Sequence, residues 1–584
     1  MKPGRICDRL YMLQTFSCVS EGAQLNEEVE QFSEKEIQHF MAGIRKITYE
    51  YKQANFFMIA AGVLLLLYIY LLICLYPFLI KPGYAETSTV KYRFLMAVSY
   101  GFSAGPMWIP SFIPLTFLCI LIGTGLYIKR RDIRIRDFIR QLRFSTTDIM
   151  VACYAVFVTI SAVVTPYRND LIWGLELSYM GLASQYLFIS IYFIASRLFD
   201  PDELKGVLYM SLLSSSLVFI IGILQRFGID LFNLYAGITN KLFISTIGQN
   251  TYFSSYMIIF IMLGTFLVWI SKPGSLMYIT AAIQLFIASC LPCILNADMI
   301  FAGMFFALSF LFLLSFESID RMKAFLEITL INLLAWCFII IAWYLAKPEF
   351  RLEPLPKFIM RSPFIWIAVI CLTLVYVFIR RKTEGKNVFD IGKYRCIGYI
   401  YAGLVCFSIL AVAVYIILNT LQILPVNLRS NANYLLFDAF WGNGRGAIWH
   451  DTVMSFLMEL RRSPFIAIFG AGPDRFFYVL RDHVHDWMLV YSDKVALFAH
   501  NEWLNAFICS GIFGGAAYLG IFISACIRFV RNRKMAPVAL GAAVIAVAYL
   551  SHQMFGYQQY VSTPYIFLIL GIGEQAVREE AKMV

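Results

Sequence analysis

Charge is what this sequence has least of. Of its 584 residues only 15% are Asp, Glu, Lys or Arg, and histidine occurs six times. A soluble globular domain carries about a quarter charged residues, so the shortage excludes an ordinary soluble enzyme. The formal net charge of +11 is modest for the length, and no basic-aromatic patch suits a nucleic acid. The N-terminus does not read as a secretory leader either. Residues 1–54 are polar, with EGAQLNEEVEQFSEKEIQ in their middle, where a signal peptide would be apolar. They read as a cytoplasmic N-terminal arm. Cysteine is not scarce, at 13 residues. Most, such as Cys74, Cys119, Cys153, Cys337, Cys371 and Cys406, lie inside apolar runs as small hydrophobes and make no disulfide framework. Cys290 and Cys293 form a CxxC with no second pair, too little for a zinc site.

What is abundant is apolar surface. Hydrophobic residues make up 60% of the chain and aromatics 16%, with a mean hydropathy of +0.70. Apolar runs of roughly 20 residues are long enough to cross the hydrocarbon of a bilayer. About fourteen such runs follow one another, near 56–80, 109–128, 147–164, 177–195, 207–225, 252–270, 277–295, 299–314, 324–345, 363–379, 397–418, 501–527, 536–550 and 563–576. The expected fold is all-α: a polytopic membrane domain over 55–584, with about 12–14 transmembrane helices.

Short basic loops set orientation. KRRDIRIRDFIRQLR (129–143), RRKTEGKNVFDIGKYR (380–395) and RFVRNRK (528–534) fall on one side if the runs alternate across the membrane. Taking that side as cytoplasm puts both termini inside, in the cell membrane. The segment 419–500 then becomes a large extracytoplasmic loop.

That segment carries the unusual chemistry. WGNGRGAIWHDTVMSF (441–456) puts Arg445 four residues before Trp449. SPFIAIFGAGPDRFFYV (463–479) holds a glycine turn followed by Asp474 and Arg475. SDKVALFAHNEWLNAFICSGIFGG (492–515) delivers His500 and Asn501 to the start of an apolar helix. RDHVHDW (481–487) sets His483 and His485 two apart, a spacing that could bind a metal but that a solvated strand or loop explains better.

In their order these motifs resemble the O-antigen ligase/polymerase superfamily. The resemblance rests on Arg445 with Trp449, Gly470-Ala471-Gly472-Pro473 with Phe476, and Asp493-Lys494. It continues through Ala499-His500-Asn501 with Leu504, and Gly511 with Gly514. Upstream, FISTIGQNTYFSSY (243–256) is similar to a family segment in which asparagines are common at the positions of Gln249 and Thr251. The resemblance covers most of the chain from the first apolar run onward. It implies a polytopic glycosyltransferase that uses neither metal nor cofactor. Such an enzyme takes a glycan from an undecaprenyl-diphosphate carrier and moves it to a hydroxyl of a glycan or lipid-linked acceptor. The alternative is a lipid-linked glycan flippase or transporter without transfer chemistry.

Transfer from a lipid diphosphate needs a fixed cation for the charge growing on the leaving group and a group to receive or orient the acceptor proton. Arginine suits the first through its permanent charge and bidentate fork. A neutral histidine suits the second, and a helix N-terminus disfavours its charged form. Arg445 is therefore expected on the diphosphate, with His500 as base or orienting group and Asn501 supporting it. Arg475 is a further candidate for the diphosphate. One departure stands out. Family members carry a second arginine in a Ser-Arg-Gly-Ala context, whereas CILNADMIFAGMFF (293–306) places Asp298 there. A carboxylate repels diphosphate. Lys241, or after it Arg226, is then the expected substitute cation, and Asp298 becomes a residue for the acceptor hydroxyl or a helix cap.

Overall fold

Inside a bilayer no water satisfies the backbone, so apolar chain folds as helix, where every peptide group bonds within its own segment. The computed structural model is helical almost throughout. It describes residues 56–101, 111–137, 142–234, 243–383, 390–483 and 496–583. The N-terminal arm expected over 1–54, Lys241 and His485 lie outside the described residues.

The helices in chain order are α1 (Phe56–Phe78), α2 (Tyr84–Tyr100), α3 (Phe112–Arg131), α4 (Thr146–Val164), α5 (Leu182–Leu198), α6 (Leu204–Arg226), α7 (Asn250–Ile270), α8 (Leu276–Ser289), α9 (Met299–Ser315) and α10 (Ile319–Ala346). Then come α11 (Pro354–Arg361), α12 (Phe364–Thr383), α13 (Arg395–Thr420), α14 (Trp441–Arg462), α15 (Pro464–Phe469), α16 (Phe476–Asp482), α17 (Glu502–Arg531), α18 (Pro537–His552) and α19 (Thr563–Met583). A two-stranded antiparallel hairpin, β1 (Phe243–Ile244) and β2 (Gly248–Gln249), precedes α7.

Each of the fourteen expected runs falls on a helix. Among the described residues nine helices (α1, α3, α4, α6, α7, α10, α12, α13 and α17) are long and apolar enough to cross a membrane, and α5, α8, α9 and α18 are apolar but shorter. The segment 419–500 is no plain loop, since α14, α15 and α16 lie in it.

Two compact units divide the chain, one of residues 1–59 with 119–141 and one of 60–118 with 142–584. The elements of the candidate site lie in the second. At its centre is α7, 89% of whose apolar stretch is buried, against 6% for α12 and none for α13. Around it, α17 packs along α4, α19 along α5, and α18 against α9, α7 and α19.

Among the described residues, the ion pairs that tie α4, α5, α17 and α19 together sit at the Arg528 end of α17. Asp148 accepts from Arg197, at 3.1 Å, and from Arg578, while Glu574 pairs with Arg528 at 2.9 Å. Buried carboxylates tolerate that environment because each is matched by a guanidinium. The opposite end of α17 begins just after His500.

Candidate functional site

Three consecutive residues before Arg445 adopt left-handed backbone: Gly442 (φ 59°), Asn443 (φ 62°) and Gly444 (φ 89°). Glycine reaches this region without strain and asparagine more easily than most residues, which accounts for the GNG. The chain reverses there, and the regular part of α14 starts at Arg445. Arg445 and Trp449 are one turn apart and share a helix face. Both meet the same residue. Arg445 Nη2 donates to the Phe555 carbonyl at 3.3 Å, and the Trp449 ring stacks on the Phe555 ring at 6.0 Å. Arg445 Nη1 also donates to the Gly442 carbonyl at 2.7 Å, which fixes the guanidinium on its own turn.

His500 reaches the same place from the other side. Its backbone is left-handed (φ 48°). Asn501, next in the chain, caps α17 by accepting from the Trp503 and Leu504 amides at 3.0 and 3.1 Å, the ordinary N-cap arrangement. Asn501 thus fixes the entry of the helix and the direction of His500. Glu502 ties that entry to α18. Its amide donates to the Gln553 carbonyl at 3.0 Å, and its buried carboxylate accepts from the Tyr518 and Tyr549 hydroxyls. The His500 imidazole meets Tyr557 edge-on at 5.3 Å, and Tyr557 stacks on Phe498 at 4.1 Å. Burial, and then the charge of Arg445, push the imidazole down to about 4. It is neutral near pH 7, and Arg445 is close enough to act on it.

Tyr557 also donates to Gln249 Oε1 at 3.1 Å. The 243–256, 441–456 and 498–515 motifs therefore all meet on the 553–557 turn between α18 and α19. A satellite core beneath holds them, with Ile448 three residues past Arg445, Ala499 beside His500, and Ala471, Phe476, Ile508 and Cys509 between them.

Asp298 belongs to the same cluster. Tyr434 donates its hydroxyl to Asp298 Oδ2 at 2.9 Å. Burial raises the Asp298 carboxyl, while Tyr434 and Arg445 lower it. Glu353 is raised likewise by burial and by Asp298. Arg226, the second substitute cation, is buried with Nη2 on Asn250 Oδ1 at 2.7 Å. It reaches the Leu295 carbonyl at 3.4 Å and lies 4.0 Å from the Phe350 ring. Its charge is thus used close to the segment leading into Asp298.

Arg475 requires a correction. It is fully buried, and its guanidinium is spent on the carbonyls of Pro473 (3.2 Å), Asn169 and Asp170 (3.1 Å). Asp474 beside it accepts from the Leu175 amide at 2.7 Å, the Ser178 hydroxyl and the Met180 amide at 3.3 Å. Together they clamp the 165–181 segment, and Arg475 has no fork left for a diphosphate. The glycine turn ahead of them is also committed. Gly511 (φ 73°) breaks α17, and the Ala471 and Gly472 amides donate to the Ile508 and Cys509 carbonyls, at 3.0 and 2.9 Å. A Cβ on Gly511 would lie 2.2 Å from the Ile468 carbonyl, so the glycines permit two backbones to touch.

His483 binds Glu459 at 2.7 Å, joining α16 to α14. Among the described residues no group of three or more His, Cys, Asp or Glu could hold a metal. Tyr434, Glu353, Phe555 and Tyr557 were missed by sequence reasoning. The polar and aromatic run SHQMFGYQQY (551–560) between two apolar helices is the signal that could have found the last two. No family model matches the chain, and no curated protein matches it.

Proposed function

We propose that the protein is a membrane glycosyltransferase that polymerises or ligates a glycan from undecaprenyl diphosphate onto an acceptor hydroxyl. The reaction takes place at the extracytoplasmic face of the cell membrane, in the synthesis of cell-surface polysaccharide. The observation that carries this reading is the convergence of Arg445 and His500 on one turn, with Asp298 and Tyr434 beside them. A cation, a neutral imidazole and a carboxylate in one cluster are the groups that transfer from a lipid diphosphate requires.

Arg445 sits on the donor diphosphate and takes the charge that grows as the bond to the anomeric carbon breaks. The Trp449 Nε1–H, buried with no hydrogen-bond partner among the described residues, is placed to add a second donor there. Asp298, Tyr434 and Glu353 face the acceptor, since carboxylates repel the diphosphate. His500 orients the attacking hydroxyl, or takes its proton, as a neutral imidazole. A bound diphosphate offsets the field of Arg445 and raises the imidazole's proton affinity, which couples donor binding to acceptor activation. With twelve to fourteen crossings and the basic ends of α12 and α17 inside, this cluster opens outward and both termini are cytoplasmic.

Reconstitution in liposomes with an undecaprenyl-diphosphate oligosaccharide tests the reading. The wild-type protein is expected to extend or transfer the glycan. Arg445→Ala and His500→Ala should each lower transfer by roughly 10²–10³-fold at unchanged membrane abundance. Movement of the lipid across the bilayer with no new glycosidic bond would instead mark a flippase.

A further inference from the structure

Asp298 occupies the position just ahead of α9 where an aspartate ordinarily accepts the first free amides of its helix. It does not do so: no side-chain cap bond forms there. The approach to it is rigid. Asn296 has left-handed backbone (φ 58°), its Nδ2 donates to the Arg351 carbonyl at 2.9 Å, and its Oδ1 accepts from the Glu353 amide at 2.9 Å. The carboxylate is held away from its own helix and against Tyr434. Tyr434 takes Oδ2, while Oδ1 is buried and has no hydrogen-bond partner among the described residues. A buried oxygen left in that state forfeits a hydrogen bond unless a ligand supplies the donor.

We infer that Asp298 is the general base of the transfer, with Oδ1 receiving the proton of the acceptor sugar's hydroxyl while Tyr434 fixes the carboxylate through Oδ2. The inference rests on the glycosyltransferase reading above and assigns the proton within it. In the step, the acceptor oxygen attacks the anomeric carbon and its O–H proton passes to Asp298 Oδ1. The bond from the anomeric carbon to the diphosphate oxygen breaks, and its electron pair leaves on undecaprenyl diphosphate, beside Arg445. The proton then returns to solvent, so no other reactant is needed.

The choice of Asp298 over His500 follows from geometry and is supported by charge. The imidazole is pushed down to about 4 by burial and by Arg445, which makes it a weaker base than free histidine. The Asp298 carboxyl is raised by burial, which makes it a stronger base than a free aspartate. His500 is left as a neutral hydrogen-bonding group that orients the sugar. The titratable and charged groups acting on Asp298 are Tyr434, Arg445 and Glu353.

The test uses full-length protein in liposomes with an undecaprenyl-diphosphate oligosaccharide, reading donor binding, turnover and the pH profile. Asp298→Asn should keep donor binding and lose roughly 10²–10⁴-fold in turnover. Any residual turnover should lack the acid limb, which in the wild type marks protonation of the base as pH falls. Tyr434→Phe removes a hydrogen bond that lowers the carboxyl, so its acid limb should move to higher pH. Wild-type turnover in Asp298→Asn, or an acid limb that neither variant alters, would overturn the inference and leave the glycosyltransferase reading standing. A wild-type protein that transfers nothing would sink both.

Discussion

Two arginines, thirty residues apart, each follow a glycine turn in the same segment, and they do opposite things. Arg475 is buried with its guanidinium divided among three backbone carbonyls, and it holds the 165–181 segment in place. Arg445 donates to the carbonyls of Gly442 and Phe555, and its charge acts on His500, Asp298 and Glu353. The glycines differ in purpose too. All four have positive φ, but those around Arg445 reverse the chain ahead of the regular part of α14, whereas Gly470 and Gly472 let the chain lie against the break in α17. Both guanidiniums donate to backbone carbonyls, but the charge of Arg445 also falls on a cluster of ionisable neighbours.

Replacing the two residues should separate those roles. The largest effect is expected from Arg475→Ala, which empties a fully buried site, frees the three carbonyls it holds and leaves Asp474 without its neighbouring charge. A loss of about 3–5 kcal/mol, read as collapse of membrane abundance and of the melting temperature in detergent, is expected whether or not donor lipid is present. A normally folded Arg475→Ala protein would erase the contrast. Arg445→Lys is next. It keeps the charge but loses the fork, so transfer should fall by about tenfold, with the melting temperature unchanged. A drop in stability with normal transfer would mean that Arg445 is also a clamp.

The smallest effect belongs to Asp474. Burial pushes its carboxyl up to about 6, above its unfolded value. The folded state therefore holds the proton more tightly. The stability this group contributes is fully present below about pH 4 and is lost as pH rises through 6, by on the order of 2–3 kcal/mol. Asp474→Asn should flatten that part of the melting-temperature profile. An unchanged profile would place the proton-linked stability elsewhere.

The same contrast shows what could be read in advance. Apolar runs located the long apolar helices, because periodicity and length are local properties, but not α2, α11, α14, α15 or α16. Arg445 and His500 stood out because both sit in motifs of the 441–515 segment, and histidine is rare in this chain. Arg475 stood out for the same reason and was misplaced, since nothing local distinguishes a guanidinium facing carbonyls from one facing a ligand. Asp298 was visible as a charge in the wrong place, but whether it capped α9 or faced the site depended on Asn296 and Tyr434, and Tyr434 is 136 positions away.

By itself the sequence determined the long apolar helices and the short inventory of polar groups. Each of these follows from the conformational preferences and solvation of residues within a turn or two of one another. Only the tertiary structure decided that the 553–557 turn is the meeting point, that Arg475 and Asn501 are committed to backbone, and that one buried oxygen of Asp298 has no hydrogen-bond partner among the described residues. Those are matters of which distant groups share a buried, weakly polarisable space, where an unmatched hydrogen bond costs most.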